Sequence, residues 1–439
     1  MLESMLNAFR APDIRRRLLF VLVILVIYRA LAHVLIPGIN TQLLTSNSTD
    51  NGFFGLLSLF SGGDIRRMSI VGLGLNPYIN ATIIMQILQS TIPSLQALSR
   101  EGEYGRNKIT SYSRWLSVPL AALQAYGILA YVQATEIQTS GVNPYTVSFS
   151  FEKYESLTMI LALTVGAVLL LWLGELITEK GIGNGISFII FAGIVSRVPA
   201  TVGQFLNSPD WLELFAFGIV GLLIIFVIIF VQEGQRRIPI QYANRVRGHR
   251  IYQGGSTFLP LRVNMAGVIP IIFAISILMF PAQIATYFSA SANGVVRDVS
   301  IGIVSWLDTR GWLYLTLYFL LTFVFAFFYT FIVFKPDETA NNLRKAGGFI
   351  PGIRPGAPTE EYLRRVALRI TVAGAIFVAV IAVLPMIIAA LPMFSNLSSA
   401  GVGVGLGGTS VLIVVSVVVE TMKQLEAQLM MRSYEGFIR

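Results

Sequence analysis

Residues 157–195 read LTMILALTVGAVLLLWLGELITEKGIGNGISFIIFAGIV, two apolar runs divided by a short charged and glycine-rich break. The first run, 157–177, carries one charged residue, Glu175, and as a helix it is long enough to cross about 30 Å of hydrocarbon, which takes roughly 20 residues. A second run, 185–203, sends the chain back. Between them Gly181-Ile182-Gly183-Asn184-Gly185 follows no strand, so it reads as a tight interhelical turn and not as a phosphate-binding loop. Two spans joined so closely make lipid the solvent for this part of the chain.

The rest of the sequence agrees. Mean hydropathy is +0.70, with 54% apolar and 13% charged residues, whereas a soluble domain has about a quarter of its residues charged. There are no cysteines, and the two histidines, His33 and His249, are far apart, so no thiol chemistry and no metal cluster is indicated. No cofactor motif and no catalytic constellation is found. The polar, basic residues 1–17 lack a cleavage pattern after them, and the apolar run from Leu18 reads as a retained span.

Outward from 157–195, further spans fall near 18–36, 75–92, 115–133, 212–231, 265–284, 311–334, 366–391 and 402–419, making ten in all. With both termini on the cytoplasmic side, 25 of the 32 Lys and Arg residues lie on that side, as the positive-inside rule requires. The net charge of +9 is thereby explained by topology and gives no reason to expect nucleic-acid binding. The chain divides into residues 1–203 and 204–439, five spans each. An odd number of spans per half permits an inverted repeat, an arrangement that puts a path at the interface of the halves.

Several segments do not fit a plain bundle. Residues 53–60 are apolar but too short to cross, and Ser61-Gly62-Gly63-Asp64 follows them; they read either as a re-entrant element lining a cavity or as a surface helix. Gly72-Leu73-Gly74-Leu75-Asn76-Pro77 breaks regular helix before the second span. Two cytoplasmic loops, 232–263 and 335–365, exceed what a turn needs. The first contains Arg247 and Arg250, and the second holds Arg354 in a Pro351-Gly352-Ile353-Arg354-Pro355-Gly356 turn, a stiff exposed tip suited to an acidic or phosphate-bearing partner. Ionisable residues are rare inside the spans, with Arg29 the main exception and Glu175 and Glu179 near a cytoplasmic end. Ion-coupled transporters usually keep such groups at mid-membrane.

Longer strings carry a resemblance. Leu59-Phe60-Ser61-Gly62-Gly63, Leu73-Gly74-Leu75-Asn76-Pro77-Tyr78-Ile79, Glu101-Gly102-Glu103-Tyr104-Gly105-Arg106, the run 173–187, Asn264-Met265-Ala266-Gly267-Val268-Ile269-Pro270, the 351–356 turn and Gly407-Gly408-Thr409-Ser410 resemble the SecY family, in family order over the whole chain. That resemblance implies an all-α polytopic membrane protein, ten transmembrane helices in two inverted halves around a central pore with a re-entrant plug. It implies a channel in the bacterial plasma membrane that passes unfolded, signal-bearing polypeptides and releases hydrophobic segments into lipid. Such a channel is not an enzyme. Its implied partners are SecE and SecG subunits, the SecA ATPase, the ribosome, signal peptides, unfolded preproteins and membrane lipid.

By the same resemblance, the pore constriction is implied at Leu75, Ile79, Ile186, Ile190, Ile272 and Ile413, all aliphatic. A ring of such side chains is poorly wetted and offers a passing chain nothing to bind. Spacing alone would leave these residues as core or lipid-facing. The plug is implied around Gly55, Leu56, Leu59, Phe60 and Arg67, within about 53–70. Asn80, Gln124 and Asn264 are implied to line a lateral gate between the second and third spans and the seventh and eighth, and Arg247, Arg250 and Arg354 to dock a cytoplasmic partner. Departures from the family pattern are His249 for a common arginine, Asn80 for a small hydroxyl residue and Leu75 for isoleucine. The competing reading is a secondary transporter of a small solute; a third is a membrane scaffold without a pore.

Overall fold

The structure, a computed structural model, describes residues 12–36, 68–140, 154–199, 203, 211–242, 245–247, 250–252, 255–288, 294–307, 311–389 and 408–438. Thirteen helices are named here in chain order. They are α1 (Pro12–Leu31), α2 (Asn76–Thr91), α3 (Pro93–Arg100), α4 (Glu103–Ser140), α5 (Tyr154–Lys180), α6 (Gly185–Val195) and α7 (Trp211–Glu233), followed by α8 (Ile269–Phe288), α9 (Gly294–Trp306), α10 (Trp312–Val333), α11 (Pro336–Lys345), α12 (Ala357–Ala389) and α13 (Gly408–Ile438). Five short strands accompany them: β1 (Gln235–Tyr242), β2 (Arg245–Arg247), β3 (Arg250–Tyr252), β4 (Ser256–Arg262) and β5 (Gly348–Phe349).

The apolar runs read from the sequence overlap helices, and the protein is an all-α polytopic membrane protein. Among the described residues, Ser156–Lys180, Trp312–Lys345 and Ala357–Leu384 are long and apolar enough to cross a membrane, and Gly185–Val195, Gly218–Glu233 and Ile269–Met279 are shorter apolar stretches. The outside is as apolar as the inside. Phe226 and Phe230 on α7, Leu19 and Leu22 on α1, and Leu313 and Leu320 on α10 are all exposed, an apolar surface suited to lipid.

Among the described residues the first helix covers Pro12 to Leu31, so it ends short of the 36 expected from the sequence. Beyond it the chain leaves the helix to pair with residues before α2: Leu35 bridges Ser69, the Ile36 amide donates to the Met68 carbonyl at 3.0 Å, and the Ile70 amide donates to Val34 at 2.9 Å. The expected break before the second span is present. Residues 70–75 form turns, Gly74 has φ +60°, and α2 starts at Asn76 with Pro77 in its first turn.

The two long loops, 232–263 and 335–365, fold together. β1 pairs antiparallel with β4, from Gln235 opposite Arg262 to Gln241 opposite Ser256, and β5 from the second loop adds to the other side of β1 at Gln241 and Tyr242. Under this sheet Ile238, Leu261, Ala340, Ile350, Leu363 and Val366 form a small core of their own. Two loops that share a sheet lie at one end of the bundle, so α8 and α10 must run away from that end and return to it, which puts α9 at the opposite end.

Across the proposed division at 204, α8 packs on α2 and α4, and α13 packs on α6. Within the second half, α10 packs on α8 and α12, and α7 on α13. A Lys423–Glu233 ion pair at 2.8 Å and a Gln232–Ser416 hydrogen bond fasten α7 to α13.

Candidate functional site

The six aliphatic residues singled out in the sequence come from four elements, each aimed by local chemistry. Leu75 is the residue before α2, and the Ile79 amide donates to its carbonyl at 3.0 Å, so the two side chains stack one helical turn apart. In α6, the Asn184 side chain caps the helix by accepting from the Ile186 and Ser187 amides, while the Gly185 amide donates to Thr178 Oγ1 at 2.9 Å. Gly183 before it takes φ +83°, a left-handed conformation that suits glycine. A Cβ at Gly185 would sit 1.9 Å from the Gly174 carbonyl oxygen, so only glycine lets α5 and α6 cross this closely, and that crossing turns Ile186 and Ile190 inward.

Ile272 lies in the first turns of α8, after Gly267 at φ +65° and an Asn264 amide that donates to the Gly267 carbonyl at 3.1 Å. Ile413 lies in the second turn of α13, next to the fully buried Leu412. Leu75, Ile79, Ile190 and Ile413 are buried in one hydrophobic cluster, and Ile186 and Ile272 are half-buried against it. None of the six faces the lipid-exposed exterior.

Of the plug residues, Gly55, Leu56, Leu59, Phe60 and Arg67 lie outside the described residues. From Met68 to Leu75 the backbone is irregular and buried inside protein, an arrangement that would be tolerated at membrane depth. The Ile70 carbonyl lies where a Cβ on Gly166 of α5 would be, 2.0 Å away, so this turn is seated directly on α5.

The three amides implied for the gate come from α2, α4 and the turn before α8, and that turn's backbone lies against Gly374 of α12. Asn80 on α2 is half-buried, Gln124 on α4 is buried, and Asn264 precedes α8 and spends its donor inside its own turn. Among the described residues no hydrogen bond joins the three to one another. Toward the end that carries the sheet, the helices part around a cavity of about 700 Å³, with Gln86 and Gln89 of α2, Gln96 of α3 and Arg106 of α4 on one wall and Tyr329 of α10 and Asp337 of α11 on the other. Gln86 Oε1 is buried there without a partner. The sequence reading missed this polar mouth; its signal was the run of glutamines and serines closing an otherwise apolar second span.

Arg247 and Arg250 face each other in the β2–β3 register, which places their backbones at the end of a hairpin. Arg354 is exposed, and its carbonyl accepts from Thr359 Oγ1 at 2.8 Å, pinning the 351–356 turn between glycines with φ +79° and +112°. Glu175 is ion-paired with Arg114 of α4. A carboxylate neutralised in this way staples two helices and is not a free ligand for a coupling ion.

The arrangement is that of a polytopic helical membrane protein whose centre is an apolar cluster fed by helices from both halves. A SecY family profile matches residues 69–422. A protein translocase subunit SecY from Streptomyces scabiei is 42% identical over 450 residues, covering 100% of both chains. Among solved structures, a SecY translocation channel described for a plug domain that stabilises its closed state and maintains a membrane seal matches with TM-score 0.62 at 18% identity, over 93% of this chain and 91% of that one. Sec61 in the canine ribosome–channel complex matches with TM-score 0.55 at 18% identity, over 93% and 91%. The chain belongs to the SecY family.

Proposed function

We propose that this chain is the conducting subunit of a protein-translocation channel, passing unfolded, signal-bearing polypeptides across the membrane and releasing hydrophobic segments sideways into lipid. The observation that carries this reading is the full-length likeness to translocase subunits together with an aliphatic centre built by α2, α6, α8 and α13. Such a centre excludes water and ions at rest, yet holds no charge or hydrogen-bonding group that would grip a moving chain. Reading the protein as a small-solute transporter has no support from its relatives.

In this proposal Leu75, Ile79, Ile186, Ile190, Ile272 and Ile413 form the pore ring, residues 53–70 form the plug, and the α2–α4 pair opens against α8–α10 as the lateral gate. Asn80, Gln124 and Asn264 line that seam, and the polar mouth near Gln86 is its cytoplasmic opening. The halves 1–203 and 204–439 are inverted relatives with ten crossings between them. Both termini lie in the cytoplasm of a bacterium, and the membrane is its plasma membrane.

The chain performs no catalysis; energy comes from the SecA ATPase or a translating ribosome docked on Arg247, Arg250 and Arg354, with SecE and SecG as companion subunits. The ribosome-bound canine relative supports a docking face of this kind. Reconstitution tests the proposal. With SecA and ATP, proteoliposomes holding the chain and its companions should protect a signal-bearing precursor from added protease, and precursor that stays fully digestible would refute the reading.

A further inference from the structure

Helix α9 joins α8 to α10 at the membrane face opposite the three-stranded sheet, and its sequence GVVRDVSIGIVSW is two-sided. Val295, Val299, Ile303 and Trp306 follow one another at spacings of four, four and three residues and so share one stripe of the helix. All four are exposed, Val295 at 78% and Trp306 at 72%. The other side carries Arg297 and Asp298, which form an ion pair at 3.7 Å, and Ser305, together with the less regular exposed residues Ile301 and Val304, while Ser300 is buried and the helix packs on α8. An apolar stripe of this size left in water would be costly, and α8 alone does not cover it.

We propose that α9 lies in the plane of the membrane interface, with its valine, isoleucine and tryptophan stripe sunk into the acyl boundary of the leaflet opposite the sheet. Three observations select lipid as the occupant. The helices on either side of α9 cross the bilayer, so their ends bring it to headgroup depth. Its exposed stripe continues the lipid-facing surface of both neighbours, from Phe288 at the end of α8 to Trp312 and Leu313 at the start of α10, with Trp312 exposed at 85%. Two tryptophans bracket the α9–α10 connection, and tryptophan is enriched at the membrane–water boundary, where an apolar ring and one N–H donor are both satisfied. The inference needs only that α8 and α10 span the membrane, so it stands whether or not the chain translocates protein.

The test uses full-length chain in proteoliposomes with Trp306 as its single tryptophan, the other four replaced by Phe, and a companion variant keeping only Trp312. Lipids brominated near the headgroup should quench Trp306 more than lipids brominated near the chain ends, its emission should be blue-shifted from that in water, and aqueous iodide should quench it weakly. Val295→Asp and Val299→Asp, both at exposed positions that touch no core, should shift Trp306 emission to the red and raise iodide quenching while leaving Trp312 unchanged. Trp306 open to iodide and blind to brominated lipid would overturn the proposal, since the stripe would then face water. Trp306 shielded from both quenchers would also overturn it, because a protein surface would then cover the stripe.

Discussion

At the scale of single residues, the centre of the molecule works by what its side chains lack. Ile190 is 4% exposed and packs among aliphatic neighbours, so Ile190→Asn puts a hydrogen-bonding group where water is otherwise unwelcome. The resting channel should then leak ions, and planar-bilayer recordings should show a raised conductance for Ile190→Asn and none for Ile190→Leu; equal baselines would argue against a dewetted seal. Gly185 is constrained differently. Adding a methyl there presses on the Gly174 carbonyl, whereas a methyl at Gly218 meets nothing within 4 Å. Gly185→Ala should therefore destabilise the protein by about 1–3 kcal/mol and lower its thermal midpoint in detergent, with Gly218→Ala close to wild type. The glycine run 181–185 was legible as a turn from sequence, but its role in letting two helices touch was not, because that depends on which carbonyl the fold brings opposite.

Among the elements, the cap built by the sheet of the two long loops departs furthest from the sequence reading. Its strands lie in segments that stood out in the sequence only as long loops; they are short and carry Pro239 and Pro260, which are unusual inside sheets. The register explains the tolerance: β5 reaches β1 only at Gln241 and Tyr242, so Pro239 sits where that side of β1 is an open edge and its missing donor costs no ladder bond. No local pattern could have announced a partner strand a hundred residues away. Leu363 is fully buried under this sheet, and Leu363→Ala should cost about 2–5 kcal/mol locally. Limited trypsin digestion should then cut the arginine-rich hairpin of residues 235–262 several-fold faster while the spans stay intact, and an unchanged digestion rate would mean that the cap does not depend on this core. The long helices were easier to read. Their apolar runs are long enough to signal spans, whereas their ends differ from the sequence reading, as at Leu31 of α1 and Val195 of α6.

For the whole molecule, the sequence made the membrane class, the order of the spans and the two large loops legible, since these follow from hydropathy and charge asymmetry. It could not tell Leu75, Ile79, Ile186, Ile190, Ile272 and Ile413 from lipid-facing residues, because they are no more apolar; the structure buries four of them in one large hydrophobic cluster and leaves Ile186 and Ile272 half-buried against it, whereas Phe226 is exposed. The chain has no cysteine, so single cysteines can be placed without background. A precursor stalled in transit and scanned by cross-linking against single cysteines at positions 75, 79, 186, 190, 272 and 413, with 226 as the lipid-facing control, tests the central claim most directly. The account predicts strong adducts at the six positions and none at 226. Adducts at 226 equal to those at the six, or six silent positions beside a translocating chain, would contradict it.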